Sequence, residues 1–312
     1  MKAYYCDSFV LPLPQGHRFP MEKYRLLRER VATSLQSRID LCVPPAADDA
    51  SLLLAHDVAY LQRAKDGALS VGELRALGFP WSPQLVERSR RSAGATIAAC
   101  RAALSEGAAA NLAGGTHHAF RDRPEGFCLF NDSAVAARWL QQQRLVRRLL
   151  VVDTDVHQGN GTAAILRHDD WAYTFSIHCQ DNFPFLKERS DLDLGLPAGA
   201  GDPTYLEALA QGLRRACARA HPDLIIYLAG ADGFEGDRFG KLALSKAGLA
   251  ERDALVFGQA GASGVPVALT MAGGYAHDVR DTVDVHYESI RQAAAYACSF
   301  GARAEGQQTA AT

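Results

Sequence analysis

The sequence has 312 residues, of which 48% are hydrophobic and 22% are charged. This is the composition of a globular protein that can bury a sizeable core, and it excludes disordered and fibrous chains. The formal net charge is only -2, from 33 basic and 35 acidic residues, so no overall field favours nucleic acid or an anionic membrane as a partner.

The cysteines and the N-terminus bear on the cellular compartment. Seven cysteines are scattered along the chain without a C-x-x-C pair, and this pattern indicates reduced thiols rather than a disulfide framework. The first residues, M-K-A-Y-Y-C-D, lack the apolar stretch of a secretory signal. No apolar run approaches the roughly 18 to 20 residues that cross a bilayer. We therefore expect a cytoplasmic protein without a membrane span.

The first elements predicted along the chain are helices. The N-terminal third has a mostly helical pattern, interrupted by a proline-rich connection. Further on, Ser82 and Asp202 each stand directly before a proline. A capping side chain followed by proline at the first helical position is typical of a helix start. We therefore predict helices over residues 84–104 and 205–218.

Short apolar runs bounded by polar residues or glycine predict buried strands. Because they alternate with helices, the fold class is α/β, with a central, mostly parallel sheet and helices on both faces. No repeat or change in composition divides the chain, so we predict a single domain over residues 1–302 and a disordered tail over 303–312. The predicted strands are residues 149–152, 172–177, 224–228 and 265–269.

Polar residues follow each predicted strand. Asp153 opens the stretch after the first strand, His178 follows the second, Asp232 follows the third, and Gly-Gly-Tyr275 follows the fourth. Ligands bind at the carboxyl edge of open parallel sheets, because the loops there converge on one crevice. The sequence therefore predicts a functional site at this edge.

A metal site is predicted from the first of these stretches. Asp153, Asp155 and His157 are spaced by two, so in extended backbone their side chains would point to the same side. With Asp232, the carboxylate of Asp155 and the imidazole of His157 would form a three-ligand zinc site with a fourth position left for water. The alternative is that the two aspartates merely cap a strand-to-helix turn.

Adjacent imidazoles at His117 and His118 point to proton transfer. Two buried histidines are costly unless both are hydrogen-bonded, and one of them can serve as the general base for a metal-bound water. Asp153 is placed to hold one ring, and Asn160 could orient the other as a neutral partner. The alternative is a pair of ordinary loop histidines.

Tyr275 follows two glycines that allow a tight turn. Its phenol can donate a hydrogen bond to a carbonyl oxygen as negative charge develops there. The alternative is an aromatic residue of the kind that commonly ends a strand.

These residues lie in motifs that resemble the histone deacetylase family and its arginase/deacetylase-type fold. The resemblance runs in order through about residues 15–290 and is closest to the class IV branch and its bacterial relatives. Its motifs are G-G-T-H-H-A-F (114–120), G-F-C-L-F-N-D (126–132), V-D-T-D-V-H-Q-G-N-G-T (152–162), A-G-A-D-G-F-E-G-D-R-F-G (229–240) and G-G-Y (273–275).

The resemblance implies a role for each site residue. The zinc ligands, the catalytic histidine pair and the catalytic tyrosine of the family match residues already singled out above. Gly126 and Phe127 match one wall of its acyl-lysine channel, and Phe183 matches the opposite wall. A buried potassium site is also implied. The implied zinc ligands are Asp155, His157 and Asp232, the implied catalytic residues are His117, His118 and Tyr275, and the implied potassium site comprises Asp153, Asp155, His157 and Ser176.

The resemblance further implies zinc-dependent hydrolysis of N-ε-acyl-lysine in a protein or peptide. The class IV likeness suggests long-chain fatty acyl groups. The alternative is a small acylated amine such as an acetylpolyamine. A ureohydrolase with two manganese ions would need another acid near Asn160, and an inactive acyl-lysine reader would lack the metal ligands or Tyr275.

Two positions depart from many relatives. Gln158 stands where a further histidine is frequent, and Asn160 stands where some branches have aspartate. An amide orients a histidine more weakly than a carboxylate does, so which of His117 and His118 carries the proton stays open. The oligomeric state and the role of Arg18 stay open as well.

Overall fold

A computed structural model describes the backbone of residues 1–310 and the side chains of residues 1–302. The predicted disordered tail at 303–312 therefore lies outside the fully described residues and stays a prediction. The predicted α/β fold is confirmed, with one sheet of eight strands in the order β2-β1-β3-β8-β7-β4-β5-β6. All neighbouring strands are parallel. The strands are β1 (Lys2–Tyr4), β2 (Asp40–Cys42), β3 (Ala108–Asn111), β4 (Leu149–Asp153), β5 (Ala172–Cys179), β6 (Leu192–Leu196), β7 (Leu224–Leu228) and β8 (Val267–Thr270).

Helices cover both faces of this sheet. None of those described combines the length and the apolar composition that crossing a bilayer requires. The helices are α1 (Glu22–Ser34), α2 (Asp49–Leu52), α3 (Val58–Asp66), α4 (Val71–Leu77), α5 (Pro83–Glu106), α6 (Asp132–Gln142), α7 (Asn160–Leu166), α8 (Asp202–Ala220), α9 (Lys246–Ser263) and α10 (Val279–Ala310).

The core has two parts, one on each face of the sheet. Leu149 and Val151 of β4 pack into a cluster with α5 and α6. Leu150 and Val152 point the other way, into a cluster with α8, α9 and α10. A strand buried on both faces reads as a continuous apolar run, which is why β4 was predictable from the sequence.

All four predicted strands are present, with ends that differ by up to two residues. The other four were missed for physical reasons. β3 is A-A-A-N, whose alanines favour helix, yet its residues are fully buried between β1 and β8. β1 and β2 have three residues each, and β6 is an edge strand with a glycine at Gly195.

One of the two predicted helix caps is correct. Ser82 caps α5, accepting a hydrogen bond from Leu85 N at 3.1 Å. The prediction for Asp202 is wrong, because the N-cap of α8 is Gly201 and no side chain caps that helix. The carboxylate of Asp202 instead accepts from the backbone N of Ser245 at 2.9 Å and from its hydroxyl at 2.6 Å, so it joins α8 to the start of α9.

The state of the cysteines agrees with the reduced thiols predicted from the sequence. All seven lie within the described part of the chain and are free thiols. Burial raises the pKa of Cys128 above its usual range, which keeps this thiol protonated near the candidate site.

Candidate active site

Four loops meet at the carboxyl edge of the sheet. They leave β3, β8, β7 and β4, which are consecutive neighbours in the strand order. The first carries His117 and His118, the second Tyr275, the third Asp232 and the fourth Asp155 with His157. Parallel pairing thus brings together residues that lie up to 158 positions apart (117 to 275) in the sequence.

The loop after β4 is not extended, as the spacing-of-two argument assumed. β4 ends at Asp153, and side-chain oxygens then fold the backbone into a turn. Asp155 N donates to Asp153 Oδ1 at 3.1 Å, and His157 N donates to Asp155 Oδ1 at 2.9 Å. The three side chains still reach one region, but through these turns rather than through strand alternation.

The floor of the site consists of Asp155, His157 and Asp232. One ligand atom from each lies within 4.8 Å of the others. His157 Nδ1 lies 3.0 Å from Asp155 Oδ1 and 3.2 Å from Asp232 Oδ2. Asp232 is fully buried, and its Oδ2 has no hydrogen-bond partner. A buried carboxylate oxygen without a donor is costly, so this arrangement fits a metal ion that all three residues can hold.

Backbone contacts fix both carboxylates of the floor. Asp155 Oδ2 accepts from Gly273 N at 2.7 Å, and Asp232 Oδ1 accepts from Val156 N at 2.9 Å. A Cβ at Gly273 would lie 1.9 Å from Asp232 Oδ2, so only glycine lets this loop approach. These backbone contacts and the close approach of Gly273 therefore fix the positions of both carboxylates.

The pKa values of the three floor residues are shifted in different directions. Burial raises the pKa of Asp155, but His117 and His157 outweigh it and hold that pKa well below its usual range. For Asp232, burial and then the charge of Asp155 raise the pKa to about 7. Burial lowers the pKa of His157, while the nearby carboxylates of Asp155 and Asp232 raise it to about 10. Two buried carboxylates this close need positive charge between them, which a divalent ion would supply.

The histidine pair has two different partners. His117 Nδ1 lies 2.7 Å from Asp153 Oδ2, and His118 Nδ1 lies 2.7 Å from Asn160 Oδ1. The two Nε2 atoms are 3.2 Å apart. Both histidines lie on the loop after β3 but are buried, with only 3% and 5% of the two residues exposed, so they are not exposed surface histidines.

Because the two histidines have different partners, their pKa values are shifted in opposite directions. Burial lowers the pKa of His117, but the carboxylates of Asp153 and Asp155 raise it to about 9. Burial, together with the charges of His117 and His157, lowers the pKa of His118 well below its usual range. One ring is therefore favoured as a cation and its neighbour as a neutral imidazole.

Sequence reasoning missed Glu125, which lies behind the second histidine. Asn160 Nδ2 donates to Glu125 Oε2 at 3.2 Å, so the amide that orients His118 is itself held by a carboxylate. Burial raises the pKa of this half-buried acid. Its place directly before Gly126 in the sequence was the only available signal.

His56 was also missed, since nothing in the sequence links it to the site. Its Nε2 accepts from Asn131 N at 3.0 Å, and its Nδ1 lies 2.9 Å from the carbonyl oxygen of Phe120. Asn131 Nδ2 in turn donates to the carbonyl oxygens of Ala119 at 3.0 Å and His117 at 3.3 Å. A chain of buried hydrogen bonds thus supports the histidine loop from below.

Tyr275 lines the same small cavity as the three floor residues. Burial, followed by the charges of Asp232 and Asp155, raises the pKa of Tyr275 well above its usual value, so the phenol stays a hydrogen-bond donor. Lys23, only 2% exposed, supports the turn: its Nζ donates to Gly274 O at 3.0 Å and lies 4.9 Å from the Tyr275 ring centroid. This lysine was not singled out in the sequence.

An open cavity of about 510 Å³ leads down to this site. Phe127 and Phe183 line it together with Gly126, Tyr275 and His118. The ring centroid of Phe183 lies 5.0 Å from that of His118. Beneath lies a smaller cavity of about 50 Å³, which the floor residues, both histidines and Tyr275 line.

Five residues that line the larger cavity are charged and exposed, as expected for residues at its opening. We call this set of residues the mouth. Its members are Arg18, Arg75, Asp181, Arg238 and Lys241.

The remaining predicted residues lie beside the floor. Ser176 is the register partner of Asp153 on β5 and is buried, with its Oγ 2.9 Å from His178 Nδ1. Gln158, which replaces a frequent histidine, is buried and donates to Glu188 O at 2.7 Å and to Asp193 Oδ1 at 2.8 Å. It therefore anchors the segment before β6 rather than facing the cavity.

Comparison with known proteins finds similar sequences along most of the chain. The histone deacetylase domain matches residues 17–290. An uncharacterized protein of Picosynechococcus is 45% identical, covering 90% of this chain and 94% of its own. Histone deacetylase 2 of Arabidopsis thaliana is 30% identical over 86% of this chain and 72% of its own. A histone deacetylase-like amidohydrolase of Pseudomonas aeruginosa is 34% identical over 75% and 65%.

Solved structures show the same fold. An HDAC homolog complexed with SAHA superimposes with a TM-score of 0.80 at 24% identity, covering 94% of this chain and 83% of its own. The HD domain of HDA15 gives a TM-score of 0.79 at 20% identity, covering 94% and 90%. With the family domain spanning most of the sequence, the chain belongs to the histone deacetylase family of hydrolases.

Proposed function

We propose that this protein is a zinc-dependent lysine deacylase, which hydrolyses the amide bond of N-ε-acyl-lysine. The observation that carries the proposal is the floor, where two carboxylates and one imidazole converge within 4.8 Å at the bottom of an open cavity. Carboxylate and imidazole donors with a free fourth position are typical of catalytic zinc. Family membership supports amide hydrolysis as the reaction class.

Zinc held by Asp155, His157 and Asp232 would supply a Lewis acid that lowers the pKa of water and polarises the amide carbonyl. The orphaned Oδ2 of Asp232 supports this fit, because it is buried and lacks a donor. A two-manganese ureohydrolase would need another acid nearby, but Asn160 is committed to His118 and Glu125.

His118 is assigned as the general base. It lines the larger cavity, and its Nδ1 faces the neutral amide oxygen of Asn160, so its ring can accept a proton from the attacking water. His117 lines the smaller cavity and is paired with Asp153, an arrangement that retains a positive charge. Proton transfer back to the lysine nitrogen then yields a free amine and a carboxylate.

Tyr275 is assigned as the oxyanion donor. Its phenol stays protonated beside the floor and lines both cavities. A hydrogen bond that strengthens as the carbonyl oxygen becomes negative stabilises the tetrahedral intermediate.

The walls suit an aliphatic lysine stem. Phe127 and Phe183 present rings to the cavity, with Gly126 allowing close approach: a Cβ there would lie 2.5 Å from His118 Cδ2. The class IV likeness supports long-chain acyl groups as substrates. Potassium is proposed beside Asp153 and Ser176, which are buried register partners.

The test is hydrolysis by zinc-loaded protein of lysine peptides bearing acetyl, trifluoroacetyl or long-chain acyl groups, beside acetylated polyamines. We expect release of free lysine from at least one peptide, and loss of that activity in Asp232→Ala. No activity on any peptide, or unchanged activity in the variant, would contradict the proposal.

A further inference from the structure

The mouth has an unusual charge for this chain. It contains four cations, Arg18, Arg75, Arg238 and Lys241, against one carboxylate, Asp181. The whole sequence, by contrast, has a formal net charge of -2. Positive charge is therefore concentrated where a substrate enters.

In the part of the chain with described side chains, the partners found for these cations are carbonyl oxygens and aromatic rings rather than carboxylates. Arg238 donates to the carbonyl oxygens of Tyr275 at 2.8 Å and Arg18 at 3.0 Å, and Lys241 Nζ donates to the carbonyl oxygen of Asp181 at 2.8 Å. The guanidinium of Arg18 lies over two aromatic rings. Within residues 1–302, none of the four cations forms an ion pair.

Two of the cations lie next to Phe127 in the channel wall. Arg18 Cζ lies 5.3 Å from the ring centroid of Phe127. Arg75 is exposed in the last turn of α4, whose end is tied to the same wall, because Phe127 N donates to Leu77 O at 2.8 Å. Both residues thus lie next to the wall along which the lysine stem would pass.

We propose that the mouth selects substrates that carry a carboxylate next to the acylated lysine. The proposal rests on the lysine deacylase function proposed above and narrows its substrate class. An acidic residue flanking the lysine, or the α-carboxylate of a C-terminal acyl-lysine, would meet unpaired cations at the rim. An acetylpolyamine brings further ammonium groups to the same place, so like-charge repulsion disfavours it.

The first test compares peptides that share one acyl-lysine and differ only in their flanking residues: aspartate, asparagine or lysine. At low ionic strength we expect kcat/KM to be about tenfold higher for aspartate than for lysine, through KM. Raising the salt to about 0.5 M should shrink this ratio, because exposed charges are screened. An equal or reversed ranking would overturn the proposal.

A second pair of substrates distinguishes the two sources of the carboxylate. One ends in acyl-lysine with a free α-carboxylate and the other in its amide. Preference for the free acid identifies the chain terminus as the source, while preference only for flanking aspartate identifies an internal acidic site. N-Acetylputrescine is expected to be a poorer substrate than either, and the opposite result would contradict the proposal.

The variant Arg75→Glu reverses one rim charge at an exposed position. It should lower the aspartate-to-lysine ratio of kcat/KM about fivefold. Arg219→Glu makes the same change on exposed Arg219 in the last turn of α8, at the opposite edge of the sheet, and should leave the ratio as it is. Equal effects of the two variants would assign the preference to overall charge, against the proposal.

Binding measurements distinguish a failure of this inference from a failure of the proposed function. Fluorescence anisotropy with the same labelled peptides ranks their affinities whether or not they are hydrolysed. Tighter binding of the aspartate peptide without hydrolysis would support the mouth and contradict the deacylase. If neither hydrolysis nor binding depended on the charge of the flanking residue, the result would contradict the proposed selection by the mouth but not the deacylase function.

Discussion

The floor and the mouth of the cavity are built in opposite ways. Asp155 and Asp232 of the floor are 1% and 0% exposed, and backbone N–H groups fix both carboxylates. Within residues 1–302, three cations of the mouth bind carbonyl oxygens or lie over aromatic rings, and Arg18 and Arg75 are exposed. Buried charges are costly to alter, whereas surface charges change with little effect on stability. The chemistry should therefore depend on the floor, and the choice of substrate on the mouth.

The largest effect is expected from Asp232→Asn, which keeps the shape of the side chain and removes its charge. Because the proposed zinc site would lose a charged ligand, kcat/KM should fall by at least about 1,000-fold. Asp170→Asn makes the same change on exposed Asp170, next to the amino end of β5, and should retain full activity. Steady-state assays of both variants test the contrast, and similar activities would contradict it.

The next largest effect is expected from Tyr275→Phe. Removing one oxyanion donor lowers kcat by about 100-fold or more, while KM changes little because the donor acts mainly in the transition state. The ring contacts with Phe19, Phe127 and Phe239 would remain. A variant that keeps the kcat of the native enzyme would remove the oxyanion assignment and leave the floor intact.

The support beneath the histidine pair predicts a pH dependence of stability. Burial lowers the pKa of His56 to about 4, and a proton on Nε2 would break its hydrogen bond with Asn131 N. The unfolded chain takes up this proton near pH ~6.5. His56 therefore contributes stability above that pH, which is lost as the pH falls from about 6.5 towards 4, reaching about 2 kcal/mol near pH ~5.

His56→Gln isolates this contribution, because glutamine does not titrate in the range. Chemical denaturation at about pH 7 and 5 should show a smaller loss of unfolding free energy in the variant than in the native protein. Identical losses in the two proteins would show that His56 does not control the effect.

A smaller effect on activity is expected from Glu125→Gln. Its carboxylate holds Asn160, which orients His118, and loss of such an indirect partner typically costs about tenfold in activity. kcat should fall while the melting temperature stays close to that of the native enzyme. An unchanged kcat would show that Asn160 alone orients the histidine.

Sequence patterns predicted the centre of the sheet better than its edges. β4 and β7 are continuous apolar runs because helices cover both faces. β3 could not be found in this way, since its three alanines are buried but favour a helix by intrinsic propensity. Asp202 shows a similar limit, because the same residue that caps helices elsewhere here binds Ser245 of another element.

The site was predictable where several motifs converge on the strand ends. Asp155, His157 and Asp232 were identified from spacing and strand position, and the structure places them together. The turn after Asp153 was not, because it depends on side-chain bonds that spacing does not reveal. Glu125 and His56 act through one further residue, and such tertiary contacts leave no local pattern in the sequence.

The most direct test of the floor is the zinc content of the protein and its location. After removal of metal with a chelator, titration with zinc should restore activity at one ion per chain. Anomalous X-ray scattering should place that ion between Asp155, His157 and Asp232, and Asp232→Asn should bind it at least about 100-fold more weakly. Full activity in the metal-free protein, or a zinc ion bound elsewhere with the floor empty, would contradict the assignment.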